Sequence, residues 1–192
     1  MQLAKPDLPV VIVLAAGRGE RFAASGGTTH KLQALLAGKR VIDHVLDAVK
    51  ASGLAYHVVQ ADTGRPGMGD SIAAGVNATP SATAWLILPA DLPLISPATL
   101  RSIAFAPSSV VTVPMVRGQR GHPVRFAAQC APELLNLRGN NGAAQLIHVR
   151  VATDSIAYLE VDDVGCVMDV DTLEDLARAE AWMLAQKGSF KA

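Results

Sequence analysis

A chain of 192 residues, half of them hydrophobic, is long enough to bury one sizeable core. Lysine plus arginine and aspartate plus glutamate balance at 17 each, and no run of like charge occurs, which argues against a nucleic-acid polymer or a membrane surface as partner. No apolar stretch reaches the length of a membrane span. Residues Met1 to Pro9 contain Lys5 and Asp7 but no apolar segment of the kind a secretory leader carries. Cys130 and Cys166 lack metal-ligand spacing and the five histidines are scattered, so the expectation is a cytoplasmic protein with reduced thiols and no structural zinc.

The first apolar run, residues 9 to 15, reads as a buried strand. It feeds directly into Leu14-Ala-Ala-Gly-Arg-Gly-Glu-Arg-Phe22. A strand that runs into two glycines and two arginines suits a phosphate. Gly17 and Gly19 let backbone N–H groups approach an anion, and Arg18 and Arg21 add permanently charged planar forks. The string Gly-x-x-x-x-Gly-Lys-Ser/Thr of a P-loop is absent, and the dinucleotide pattern Gly-x-Gly-x-x-Gly fails at Phe22. Ser25 to Thr29 is a poor helix interior, so the loop is expected to run on to His30-Lys31-Leu32, where Lys31 can fold back onto a triphosphate. The bland alternative is a surface loop with incidental arginines.

Residues 40 to 52 place Val41, Ile42, Val45, Leu46 and Val49 on one helical face, with Gly53 as the stop. Tyr56 to Ala61 is a short strand. Gly67-Met68-Gly69-Asp70-Ser71 leads into a helix through about Asn77, with Asp70 or Ser71 as its cap. Ala84 to Leu88 is a fully apolar strand, and Asp91 follows it. Ser96 caps a helix that Pro97 opens. Val110 to Val116 is a strand, and Arg117 to Gly121 is the turn into another, Pro123 to Phe126. Short helices are expected near 131 to 137 and 141 to 148. Ile156 to Val161 and Cys166 to Val170 read as strands. Thr172 and Asp175 form a capping box for a last helix reaching about Ala185.

Strands and helices therefore alternate, with strands apolar on both faces. That pattern predicts one α/β domain over residues 1–192, Rossmann-like, with a mainly parallel sheet flanked by helices. Ligands of such sheets bind at the carboxyl ends of the strands. Asp91 lies at that edge as a hard oxygen ligand for Mg2+, or alternatively as a turn residue before Pro93. On a strand, Asp169 and Asp171 share a face and supply the other half of a metal site; alternatively Asp171 serves the helix beginning beside it.

The motif at 14–22, Lys31-Leu32, Gly67-Met68-Gly69-x-Ser71, Ala90-Asp91-Leu92-Pro93, Arg120-Gly-His-Pro-Val124, Gly139-x-x-Gly-Ala143 and Asp169-Val-Asp-Thr-x-Glu-Asp-Leu176 occur here in one order. In that order the chain resembles the molybdenum-cofactor nucleotidyltransferases, with the closest likeness to the molybdopterin cytidylyltransferase branch. The resemblance covers nearly the whole chain and implies the nucleotide-diphospho-sugar transferase type of fold. It implies that Gly17, Arg18, Gly19 and Arg21 hold a nucleoside triphosphate that Lys31 neutralises. Ala15 and Ala16 then lie beside the base, where Ala-Ala-Gly goes with CTP and Ala-Gly-Gly with GTP. Met68, Gly69 and Ser71 contribute to the base and ribose pocket. Asp91 binds Mg2+ with Asp169 or Asp171, and Arg120 to Val124, His122 included, faces a phosphorylated acceptor such as molybdopterin. The implied protein partner is a molybdoenzyme or its chaperone. His122 is otherwise a turn residue before proline.

Two departures bear on the acceptor. The family's Ala-Asp-Met-Pro is Ala-Asp-Leu-Pro here, which keeps the carboxylate. Its Gly-Asp-x-Gly-Ala-Arg is Gly139-Asn-Asn-Gly-Ala-Ala144, which loses a carboxylate and an arginine. The competing readings are a nucleotidyltransferase for a sugar phosphate or phospholactate, and a non-catalytic nucleotide-binding protein.

Overall fold

The strand β1 (Val10–Ala15) is the centre of the architecture, because both its faces and both its edges are covered. It pairs in parallel with β4 (Ala55–Gln60) on one side and β5 (Ala84–Pro89) on the other. The computed structural model describes residues 8–60, 67–107, 109–140, 142–144, 146–147 and 156–189. Beyond β5 the sheet continues through β8 (Val124–Ala127), antiparallel, to β6 (Val111–Val116), which carries β7 (Gln119–Arg120) and β9 (Ile156–Glu160). Since β8 runs against both its neighbours, β6 and β9 point the same way as β1. Only β7 and β8 are reversed, and the sheet is mainly parallel as the alternation predicts.

Successive side chains of a strand point to opposite faces, and β1 shows the consequence. Val11 and Val13 join Leu86 and Leu88 of β5 in one fully buried layer, covered by the helices α2 (Val41–Ser52) and α4 (Pro97–Ala104). Val10 and Ile12 join Trp85, Ile87, Val111 and Phe126 in the other, against α3 (Met68–Asn77) and α5 (Ala131–Leu135). The approach of α3 is close enough that a Cβ at Gly75 would lie 2.5 Å from Ile12 Cγ2.

The helix signals read from sequence hold where they are local. Ser96 Oγ accepts from the Thr99 N–H at 3.1 Å with Pro97 behind it. Thr172 and Asp175 form the reciprocal capping box: Asp175 N–H donates to Thr172 Oγ1 (3.1 Å) and Thr172 N–H to Asp175 Oδ2 (2.9 Å). The helix it opens, α6 (Leu173–Ser189), runs one turn past the expected end. Among the described residues no helix is long and apolar enough to cross a membrane.

Several features differ from the sequence expectation, and the segment Arg117 to Gly121, expected as a turn, holds β7. A five-residue helix, α1 (Glu20–Ala24), interrupts the first loop, and a small hairpin of β2 (Leu35–Leu36) and β3 (Lys39–Arg40) precedes α2. Cys166 to Val170 is not a strand: Val164–Cys166 is a 3-10 turn followed by irregular chain. Gly67, not Asp70 or Ser71, caps α3. The expected helix at 141 to 148 and the end of the strand at Ala61 involve residues outside those described.

Candidate active site

The carboxyl ends of β1 and β5 open onto a cleft of about 770 Å3. It receives Ala16 to Arg21 from the loop after β1, and Asp91 from the loop after β5. Gly19 has φ 68°, in the left-handed region that glycine occupies without penalty, and from there it caps α1. Gly17 does not use that freedom; its missing Cβ leaves open space instead. Arg18 is exposed and only loosely paired with Glu20 at 3.5 Å, so its guanidinium is free to turn towards an anion. Arg21, also exposed, reaches Asp171 Oδ2 at 2.6 Å.

Lys31 lies at the base of the cleft and is 9% exposed. Its Nζ is 2.6 Å from Asp91 Oδ2 and 2.6 Å from Asp171 Oδ1. Burial by itself lowers the Lys31 pKa, but the charge of Asp91 and the hydrogen bonds to both carboxylates outweigh it and hold the ammonium above the ordinary lysine value. The other oxygen of Asp91, Oδ1, is buried without a hydrogen-bond partner among the described residues. One backbone bond explains how these groups meet: Val170 N–H donates to the Asp91 carbonyl at 2.9 Å. It pins the 169–171 segment to the end of β5, and so Asp169 and Asp171 arrive beside Asp91 without being on a strand. Asp169 is exposed at the rim; its pKa is raised first by its partly desolvated surroundings and then by the charges of Asp171 and Asp91.

The opposite wall is built on close backbone contact. A Cβ at Gly67 would lie 2.0 Å from the Gly139 backbone. Gly69 N–H donates to the Gly139 carbonyl (2.8 Å), and Gly139 N–H donates to Asp70 Oδ2 (2.8 Å). Asp70 is therefore the clamp on a distant loop rather than a helix cap. Met68, exposed, and Ser71, buried, face the cleft, whereas Gly69 lies behind it in the clamp. Ala15 ends β1 and packs on the core instead of lining the cleft, which Ala16 does. Met68 also leans on Gly142, where a Cβ would lie 2.8 Å from its Sδ.

At the remaining side stand Arg120 and His122. Arg120 donates to the Tyr158 hydroxyl at 2.9 Å, with its guanidinium 5.4 Å from the centre of the Tyr158 ring. His122 N–H donates to the Cys166 carbonyl at 2.8 Å. His122 is exposed as a residue, yet desolvation lowers its pKa, and the charge of Asp91 and the Ile87 backbone only partly oppose that. The structure thus gathers Ala16, Gly17, Arg18, Gly19, Arg21, Lys31, Met68, Ser71, Asp91, Arg120, His122, Asp169 and Asp171 around one cleft. Gln119, Asn140 and Val167 also line it. Gln119 follows the turn at Arg117 and Gly118, and Asn140 follows Gly139, so turn punctuation was the available signal for both.

Comparison with known proteins assigns the family. The model of the MobA-like NTP transferase domain matches residues 11–156. The chain belongs to the MobA-like NTP transferase family. As a MobA-like NTP transferase it is a nucleotidyltransferase, with the single α/β architecture of that group. It is 28% identical over 190 residues to the purine catabolism protein PucB of Bacillus subtilis, covering 85% of this chain and 92% of PucB. The manganese complex of Rv0371c from Mycobacterium tuberculosis is 25% identical with a TM-score of 0.71, covering 92% of this chain and 100% of Rv0371c. A nucleotidyl transferase from Methanothermobacter, 23% identical, shares the fold with a TM-score of 0.77 over 94% of this chain and 99% of its own.

The donor set fits a divalent cation held jointly with phosphate oxygens. Among the described residues no three His, Cys, Asp or Glu side chains form a ready cage. Magnesium-type ions do not need one, since one or two carboxylates plus phosphates suffice. The orphaned Asp91 Oδ1 and the raised Asp169 are the groups such an ion would satisfy. Both oxygens of Asp171 are taken by Arg21 and Lys31, so Asp91 and Asp169 are the better pair.

Proposed function

We propose that this MobA-like NTP transferase moves CMP from CTP onto a phosphorylated acceptor, molybdopterin, and releases pyrophosphate. The observation that carries this reading is the meeting of the glycine-arginine loop, Lys31 and Asp91 at one strand edge, with a buried carboxylate oxygen left unpartnered. The acceptor phosphate oxygen attacks the α-phosphorus in line. A new phosphoanhydride bond forms as the bond to the β-phosphate breaks. The acceptor phosphate is ionised at neutral pH, so positioning and charge stabilisation do the catalytic work.

Arg18, Arg21 and Lys31 neutralise the β- and γ-phosphates and the departing pyrophosphate. Gly17 and Gly19 bring backbone close to those oxygens. Ala16 forms the floor under the base, with Ala15 packed on the core behind it, and Met68 and Ser71 shape the base and ribose pocket, a wall that Gly69 holds through its bond to Gly139. Asp91 and Asp169, with Asp171 behind them, would hold Mg2+; the manganese bound by Rv0371c supports a divalent ion in this fold. Such an ion supplies charge neutralisation and polarises the phosphoryl oxygens. Arg120 and His122 orient the acceptor. The buried cysteines Cys130 and Cys166 suit a cytoplasmic setting. A molybdoenzyme or its chaperone is then the partner that takes the product.

Asn140 favours a second reading for the acceptor alone. It lines the cleft at the position where the family pattern has a carboxylate, which suits a different phosphorylated small molecule. Product analysis separates the two. Incubation with each nucleoside triphosphate, Mg2+ and either molybdopterin or a sugar phosphate should yield a joined dinucleotide-like product from CTP and molybdopterin. A product formed only from the sugar phosphate would replace the acceptor and leave the transfer chemistry in place.

A further inference from the structure

Residues Gly17 and His30 lie at opposite ends of the triphosphate loop, yet their atoms touch. His30 Nε2 is 2.8 Å from the Gly17 carbonyl, and Leu32 N–H donates to His30 Nδ1 at 3.2 Å. A carbonyl only accepts and an N–H only donates. Both bonds together therefore require the neutral ring with its proton on Nε2. The imidazole also lies against the loop's left-handed glycine: a Cβ on Gly19 would be 3.4 Å from His30 Cδ2 and Nε2. Immediately after His30 comes Lys31, committed to Asp91 and Asp171.

We infer that His30 is a positioning residue of the transferase: it ties the glycine-arginine loop to the segment carrying Lys31, and so fixes the spacing between the backbone that receives a triphosphate and the lysine that neutralises it. The inference rests on the reading of this loop as the triphosphate site. His30 is exposed, and no buried packing accounts for it. Its other bond, the cap of the 3-10 turn Lys31–Gln33, is local and served equally by a shorter side chain. The bond to Gly17 needs the full reach of the ring.

Two substitutions separate the bonds. In His30→Asn the amide oxygen matches Nδ1 and keeps the Leu32 cap while losing Gly17. In His30→Gln the amide nitrogen matches Nε2 and keeps the reach to Gly17. Calorimetric titration of the full chain with CTP and with CMP, each in the presence of Mg2+, reads the effect. Thermal melts confirm that each variant is folded. His30→Asn should weaken CTP about two- to tenfold, the range of one neutral hydrogen bond, and leave CMP unchanged; His30→Gln should recover to about twofold of the parent. Full CTP affinity in His30→Asn, equal losses for CTP and CMP, or a His30→Gln no better than His30→Asn would each overturn the inference. Failure of the underlying reading shows separately, as a parent chain that binds CTP no more tightly than CMP.

Discussion

Lys31 and Asp91, sixty residues apart in sequence, are joined by a 2.6 Å ion pair at the base of the cleft. The pair has two consequences. It holds Asp91 Oδ2 and leaves Oδ1 buried with no hydrogen-bond partner among the described residues, and in the proposed function it sets a cation where the terminal phosphates of a nucleotide arrive.

Removal of the lysine should therefore be felt twice. Lys31→Ala should weaken triphosphate binding more than monophosphate binding, and it should also destabilise the protein by roughly 3 kcal/mol, because Asp91 and Asp171 lose a shared, largely buried cation. Titration with CTP and CMP, together with chemical denaturation, checks both. Equal losses for the two ligands would put the ammonium elsewhere in the bound state. The pH dependence has a definite sign. The folded pKa of Lys31 is raised, so its contribution is complete below the ordinary lysine value of 10.5 and is lost as pH climbs through the raised one.

At the start of α6, Thr172→Ala removes one half of the capping box. The expected loss is about 1 kcal/mol, or about 2–4 °C in melting temperature for a chain of this size. Nucleotide affinity should barely change. Since the same turn adjoins Asp171, a large loss of CTP binding with little loss of stability would mean that the cap positions the site rather than the helix.

His122 should titrate below the ordinary histidine value of 6.5, because desolvation outweighs the attraction of Asp91. A histidine with a depressed folded pKa adds stability above its unfolded value and loses it as pH falls. Imidazole proton shifts followed by NMR between pH 4 and 8 should, by that argument, give a low midpoint that drops further in Asp91→Asn. A midpoint above 6.5 would show that the carboxylate dominates.

In the proposed function base choice depends on Ala16, which follows β1 and lines the cleft. Ala16→Gly should shift preference partway from CTP towards GTP, since one methyl group discriminates by only about 1–3 kcal/mol. Competition assays of kcat/KM for the two nucleotides, in parent and variant, measure the shift. A parent that prefers GTP would remove the cytidine assignment.

Local signals made much of this site legible in sequence. The loop after β1, the carboxylate after β5 and the caps at Ser96 and Thr172 each depend on a few neighbouring residues whose chemistry is fixed by type. What escaped depends on distance. Asp70 looked like a helix cap, but its partner, Gly139, is sixty-nine residues away. Cys166 to Val170 reads as a strand from its apolar residues, but the segment follows a 3-10 turn and is held by a backbone bond from Val170 to Asp91, a layout with no two-residue rhythm to read. The helix α1 is one turn long, too short for any periodicity to declare it.

Metal-assisted nucleotidyl transfer with Asp91 at its centre is the chemistry proposed for this cleft. The most direct test is acceptor-dependent pyrophosphate release from CTP with Mg2+ and molybdopterin, measured for the parent and for Asp91→Asn. Release should require the acceptor and fall about a hundredfold or more in the variant, while circular dichroism shows the fold retained. Near-normal release by a folded Asp91→Asn protein would contradict it.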